Sequence, residues 1–260
     1  MGLTSGAVDV SVVIACYNEE GHLRQSVQEI LEILDATRWT YEIIFVEDCS
    51  TDSTRGIVES LLTEYPDKNL QAIFHENNTG RGRTVSDGFR AAKGDVVGYL
   101  DIDLEVHARY IPSCVLAILN GADVAVGWRE YRLHVSLFHR HVLSRGYVFV
   151  MQRMLALPLH DTESGFKFFR RERLLPVLDE VMDPGWFWDT EVMARSHYKG
   201  YAISEIPCLF IRRSDKKSTV RVIRDSIDYF SKLRSFRKEL LKSPASAAKG
   251  LEPGKTKRLP

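Results

Sequence analysis

Asp101, Asp103 and Glu105 stand two residues apart, directly after the apolar run Val96–Leu100. Residues two apart in an extended chain project to the same side, so this spacing predicts up to three carboxylates at one point just beyond a strand. A hard divalent cation, Mg2+ or Mn2+, takes one or two carboxylates and keeps positions open for phosphate oxygens, which suits a diphosphate leaving group. A bare Asp-x-Asp also fits an acidic surface loop. Its place at the end of a buried run favours the metal.

Two further clusters share that placement. Glu47 and Asp48 follow the apolar run 41–46. Asp52 is accounted for as a helix cap, because a side-chain oxygen there accepts from free backbone N–H groups. Capping leaves Glu47 and Asp48 unexplained, and a nucleotide base and ribose offer donors that a carboxylate accepts. Arg81 and Arg83 lie beside Gly80 and Gly82, a combination that suits a diphosphate as well as a simple turn.

The elements that must position these groups repeat along the chain. Residues 9–15, 41–46, 70–75 and 96–100 read as buried strands, and helical spacing follows each of the first three, as in Leu23, Val27, Ile30, Leu31 and Leu34. Alternation of this kind predicts an α/β sheet, mainly parallel, covered by helices on both faces, with ligands outside the carboxyl ends of the strands. The polar clusters at 17–20, 47–54, 77–83 and 101–105 fall at those ends. Further strands are expected at 123–127, at Phe166-Lys167-Phe168-Phe169 and at 201–211, where Pro207 implies an edge or a bulge.

Residues 1–220 thus read as the α/β domain, 221–242 as a basic amphipathic helix and 243–260 as a polar disordered tail. The 260 residues carry 35 basic and 35 acidic side chains, yet 15 of the basic ones follow Ile211. No apolar run reaches the roughly 18 residues that span a bilayer. A cytoplasmic protein held peripherally at a membrane is therefore expected. The stretches 131–157 and 225–241 are candidates for interfacial contact with anionic headgroups or for a protein partner, a membrane protein or a second copy. Nucleic acid is not expected, since no recognition motif accompanies the basic segment. The four cysteines are widely spaced, predicting free thiols rather than zinc or disulfides.

Read in order, Tyr17-Asn18-Glu19, Glu47-Asp48-x-Ser50-x-Asp52, Asn77-x-x-Gly80-x-Gly82, Gly94-Asp95 and Asp101-x-Asp103 resemble the family 2 glycosyltransferases of GT-A fold. Within them, Asp161 to Lys167, Trp188-Asp189-x-Glu191, Arg212-Arg213 and Lys217-Ser218 look like the dolichyl-phosphate mannose synthase and polyprenyl-phosphate glycosyltransferase branch. The resemblance implies inverting, Mg2+- or Mn2+-dependent transfer from a GDP- or UDP-sugar, GDP-mannose favoured, to a polyisoprenyl phosphate. It implies that Tyr17, Glu19, Asp48 and Asp101 bind the nucleotide sugar, and the type and placement of Glu47, Arg83, Arg213 and Lys217 add them as candidates for the same task. Asp101, Asp103 and Glu105 would hold the metal, and Asp103, Asp161, Glu191 and Arg129 would serve catalysis. A phosphate acceptor is already anionic and requires no strong base. Two alternatives stand beside this: a soluble transferase acting on a hydroxyl, with Asp189 or Glu191 as base, and a non-catalytic nucleotide-sugar binding protein.

Overall fold

A computed structural model describes residues 8–130, 153–212 and 222–242, the last segment with side chains from residue 228 onward. Strands form where branched and aromatic residues run together: β1 (Val10–Cys16), β2 (Tyr41–Glu47), β3 (Leu70–Phe74), β4 (Val96–Leu100), β5 (Val124–Glu130), β6 (Phe166–Arg170) and β7 (Ile203–Leu209). The helices are α1 (Leu23–Asp35), α2 (Thr54–Glu64), α3 (Arg81–Ala91), α4 (Ile111–Leu119), α5 (Arg171–Leu178), α6 (Trp188–Tyr198) and α7 (Val222–Lys242).

The strands form one seven-stranded sheet in the order β3-β2-β1-β4-β6-β5-β7. All pairings are parallel except those of β6, which runs against both β4 and β5. β7 takes the edge that Pro207 implied. Burial on both faces accounts for the continuous apolar runs in the central strands.

Alternation along each strand divides the core. Val10, Val12 and Ile14 of β1, with Ile43, Phe45, Phe166 and Phe168, face α1, α2 and α4. Val13, Ile44, Val46, Val97, Tyr99 and Phe169 face α3, α5 and α6 through Val85, Phe89, Val177, Trp188 and Val192. Gly98 is required by the first layer, because a Cβ there would overlap the Phe168 ring. From β1 the chain builds outward to β2 and β3, then crosses back to β4 on the other side of β1. Such a reversal opens a crevice at the carboxyl ends of β1 and β4.

Helix α7 corrects one expectation. Leu233, Phe236 and Leu240 are buried against Leu155, Leu157, Phe187, Ala194 and Tyr198, so its apolar stripe docks on the body instead of facing a membrane. Burying each such side chain contributes about 1.5–3 kcal/mol. Glu239 reaches Arg195 at 2.9 Å and Lys232 reaches Asp183 at 2.8 Å across the same seam. Most of the 131–157 stretch lies outside the described residues.

Candidate active site

The ends of β1 and β2 are laced together by side chains. Asn18, in the left-handed region at φ 56°, accepts from Thr51 N at 2.8 Å, while Glu19 N donates to Thr54 Oγ1 at 2.8 Å. These bonds present Tyr17, 46 % exposed, at the rim of the crevice. Glu47 is buried, and its Oε1 accepts from Ser50 N at 2.6 Å. It therefore braces the loop through that oxygen, while Oε2 is buried without a hydrogen-bond partner among the described residues. Burial, then Glu19 and Glu47, pushes the neighbouring Cys16 thiol far up, leaving it inert.

Asp48 is also buried, and it gathers the loop that follows β3. His75 Nδ1 lies at 2.7 Å, Thr79 donates twice at 2.8 Å, and Gly80 N donates at 3.0 Å. Burial raises its pKa, but these bonds outweigh that and hold the carboxyl below its ordinary value. Asp48 thereby fixes the start of α3, which carries Arg81 and Arg83.

Beyond β4 the predicted extended alternation stops. Leu104 N donates to Asp101 O at 3.1 Å and Leu104 adopts φ 51°, so the chain turns within the acidic triplet. Ile102 and Leu104 point into the core. Among the described residues no three acidic, histidine or cysteine side chains converge on a point that could hold a metal. The turn separates Glu105 from the extended register that the spacing implied. The Asp101 side chain is 48 % exposed, and Asp103 is nearly buried, with Glu105 N donating to it at 3.3 Å. Two carboxylates in a crevice still fit Mg2+ or Mn2+ whose remaining ligands come from a diphosphate.

The cation nearest Asp101 is Arg81, whose Nη2 lies 2.6 Å from Asp101 Oδ1. Its other terminal nitrogen pairs with Asp189 of α6. Asp189 also takes Lys167 Nζ at 2.5 Å and the Tyr99 hydroxyl, and Lys167 is fully buried. Burial raises the Asp189 pKa, but Arg81, Lys167 and Tyr99 together hold it below the usual value. Burial drives the Lys167 ammonium down while Asp189 opposes it. Arg83, expected to bind the donor, is exposed, pairs with Asp87 at 2.8 Å and borders a cleft of about 610 Å3 with His75, Asn77, Thr79 and Pro184.

Asp161 grips Arg129 with two bonds, 2.6 Å to Nε and 3.0 Å to Nη2, at the carboxyl end of β5. Glu191 corrects a second expectation. Its carboxylate accepts from Met182 N, Asp183 N and Arg195, inside the seam between α6 and α7, and so does not face the crevice. Arg213 and Lys217 lie outside the described residues.

Tyr17 and Glu19 thus follow the carboxyl end of β1 and Asp101 and Asp103 that of the adjacent strand β4, while Asp48 at the end of β2 holds the loop after β3. Sequence reasoning left out Tyr99 and named Lys167 only within a family segment, without a role; the two face each other across β4 and β6. A lysine inside an otherwise aromatic strand was the available signal.

The description Glycosyl transferase family 2 matches residues 11–175. The chain belongs to that family. It is 32 % identical over 235 residues to glycosyltransferase AglD of Haloferax volcanii, covering 88 % of this chain and 37 % of AglD. It is 31 % identical over 219 residues to dolichol-phosphate mannosyltransferase of Pyrococcus furiosus, covering 82 % of this chain and 59 % of that protein. The chain spans from about a third to just under two thirds of the length of the curated relatives it matches. Glucosyl-3-phosphoglycerate synthase from Mycobacterium tuberculosis, in complex with Mg2+ and UDP, shares the fold, with a TM-score of 0.66 at 20 % identity over 88 % of this chain and 79 % of that one.

Proposed function

We propose that this protein carries out inverting transfer of a hexose from a nucleoside diphosphate sugar to a polyisoprenyl phosphate, with Mg2+ or Mn2+ held by Asp101 and Asp103. The relatives' names, among them dolichol-phosphate mannosyltransferase and dolichyl-phosphate β-glucosyltransferase, support the acceptor class. The observation that carries the reading is the engagement of Asp189 and Glu191. A hydroxyl acceptor would require one of them as a free base, and each is occupied by buried ion pairs. An acceptor phosphate is anionic at neutral pH and attacks without such a base.

In this reading Tyr17 and Glu19 line the base and ribose, and Asp48 keeps the 75–80 loop in place behind them. The bound cation supplies charge neutralisation to the departing diphosphate. Arg81 adds a positive charge at the same point. Arg129, oriented bidentately by Asp161, is placed to meet the acceptor phosphate, where a planar guanidinium matches two oxygens. GDP-mannose is the first donor to test, followed by UDP-sugars.

Among the described residues no helix is long and apolar enough to cross a membrane. Approach to a lipid acceptor is proposed through the outer face of α7, where Phe230 and Leu241 are exposed beside Arg234, Arg237 and Lys238. Incubating the chain with labelled GDP- and UDP-sugars, short polyprenyl phosphates and Mg2+ or Mn2+ tests donor, acceptor and class together. Label recovered in the organic phase, and lost in Asp103→Asn, supports the proposal. Label confined to water-soluble product would replace the lipid acceptor with a soluble one.

A further inference from the structure

Arg81, Lys167, Asp101 and Asp189 form a group of two cations and two anions, with the Tyr99 hydroxyl completing the contacts. Lys167 and Asp189 are buried, and Arg81 retains only 15 % exposure of its side chain. Asp101 is the exposed member. Isolated charges at such depth would be strongly unfavourable, so the inner three are stable only as a set. The guanidinium spans the set, with one terminal nitrogen on Asp189 and the other on Asp101. Behind it, Arg81 stacks over the Tyr99 and Trp186 rings, each 5.3 Å from the guanidinium carbon. Opposite Arg81, the Gly165 backbone closes on Asp101: a Cβ at Gly165 would overlap that carboxylate, and Asp101 N donates to Gly165 O at 2.8 Å.

We infer that Lys167 and Asp189 are positioning residues that act through Arg81 to fix the orientation of the Asp101 carboxylate. Neither reaches the crevice itself. Lys167 and Tyr99 hold Asp189 in one place, Asp189 holds Arg81, and Arg81 with Gly165 confines Asp101 from two sides. The inference rests on the proposed role of Asp101 at a metal and diphosphate. Outer partners of this kind typically contribute tenfold to a hundredfold in metal affinity.

Calorimetry of the full chain with GDP or UDP, each with and without Mn2+, tests this. Arg81→Lys keeps the positive charge, but a single ammonium cannot span two carboxylates as a fork does. The paired variant Lys167→Met/Asp189→Asn removes the buried charges together, so neither is stranded. Each is expected to reduce the Mn2+-dependent gain in nucleotide affinity roughly tenfold or more, and in the paired variant, whose residues do not reach the crevice, metal-free affinity stays near wild type. Adding Asp101→Asn to either should cost little further. A full Mn2+-dependent gain in Arg81→Lys, or losses that add completely to those of Asp101→Asn, would overturn the inference and leave metal-dependent transfer standing. No Mn2+ effect in the wild type would overturn the metal reading itself, and the inference with it. Thermal melts by circular dichroism confirm folding; if the paired variant melts early, Arg81→Lys alone decides the outcome.

Discussion

Gly165→Ala places one methyl group against the carboxylate at the centre of the crevice. The new Cβ would overlap both oxygens of Asp101, and relief by backbone movement is opposed because Asp101 N donates to Gly165 O at 2.8 Å at the start of β6. Gly165 is not among the residues with positive φ, so alanine meets no conformational penalty there. Overpacking of this size costs about 1–3 kcal/mol. Reduced unfolded-state entropy returns about 0.4–1 kcal/mol. The Arg81 contact to a half-exposed carboxylate contributes only about 0–1 kcal/mol. A net loss near 1–2 kcal/mol lowers the melting temperature by only a few degrees, at about 2–4 °C per kcal/mol for a chain of this size. Function should suffer far more, because Asp101 must turn away from the position that a metal and diphosphate would share. Turnover and Mn2+-dependent nucleotide affinity are expected to fall by roughly tenfold to a hundredfold. Melting followed by calorimetry separates the two effects. A variant with wild-type Mn2+-dependent affinity would refute the idea that Gly165 and Arg81 together confine Asp101.

Glu191→Ala leaves two backbone amides without their acceptor and takes one of two carboxylates from Arg195, which keeps Glu239, so a stability loss of about 1–3 kcal/mol is expected in chemical denaturation. The kcat–pH profile of surviving enzyme should keep its shape, whereas a catalytic base would remove a limb. Phe236→Ala should cost about 3–5 kcal/mol by opening a cavity between α6 and α7, read as an earlier urea midpoint. The Asp48 carboxyl is depressed in the folded state, so its stabilisation is complete above the ordinary carboxylate value of about 3.9 and is lost as pH falls through the lower folded value. Asp48→Asn should therefore show a shallower loss of stability than the wild type as pH falls below about 4.

The first half of the chain was legible because β1, β2 and β4 are buried on both faces, read as unbroken apolar runs, and are each followed by polar residues. The crevice could be placed from that pattern alone. Three features were not legible. The turn at Leu104 depends on one left-handed residue that no propensity marks, and it breaks the extended register expected across the acidic triplet. The direction of β6 is set by pairing with β4 and β5, which a five-residue segment does not encode. Asp189 and Glu191 stand two residues apart in one helical turn yet serve different networks, because one faces the sheet and the other faces α7. Both carboxylates look alike in sequence, and only the partners brought by β6 and α7 tell them apart.

The reversed strand has a consequence for how such a protein diversifies. Because β6 runs against β5, the chain leaves the sheet after Glu130 and re-enters it at Phe166 on the same rim of the crevice. The connection is anchored at that rim by Asp161 on Arg129 and by Gly165 against Asp101, so a change in its length is tolerated only outside those anchored residues. Closing a longer loop adds only about 0.6 kcal/mol per doubling of length. Selection on length therefore has a connection to act on whose two anchors, and the β1–β4 half beside them, stay unaltered.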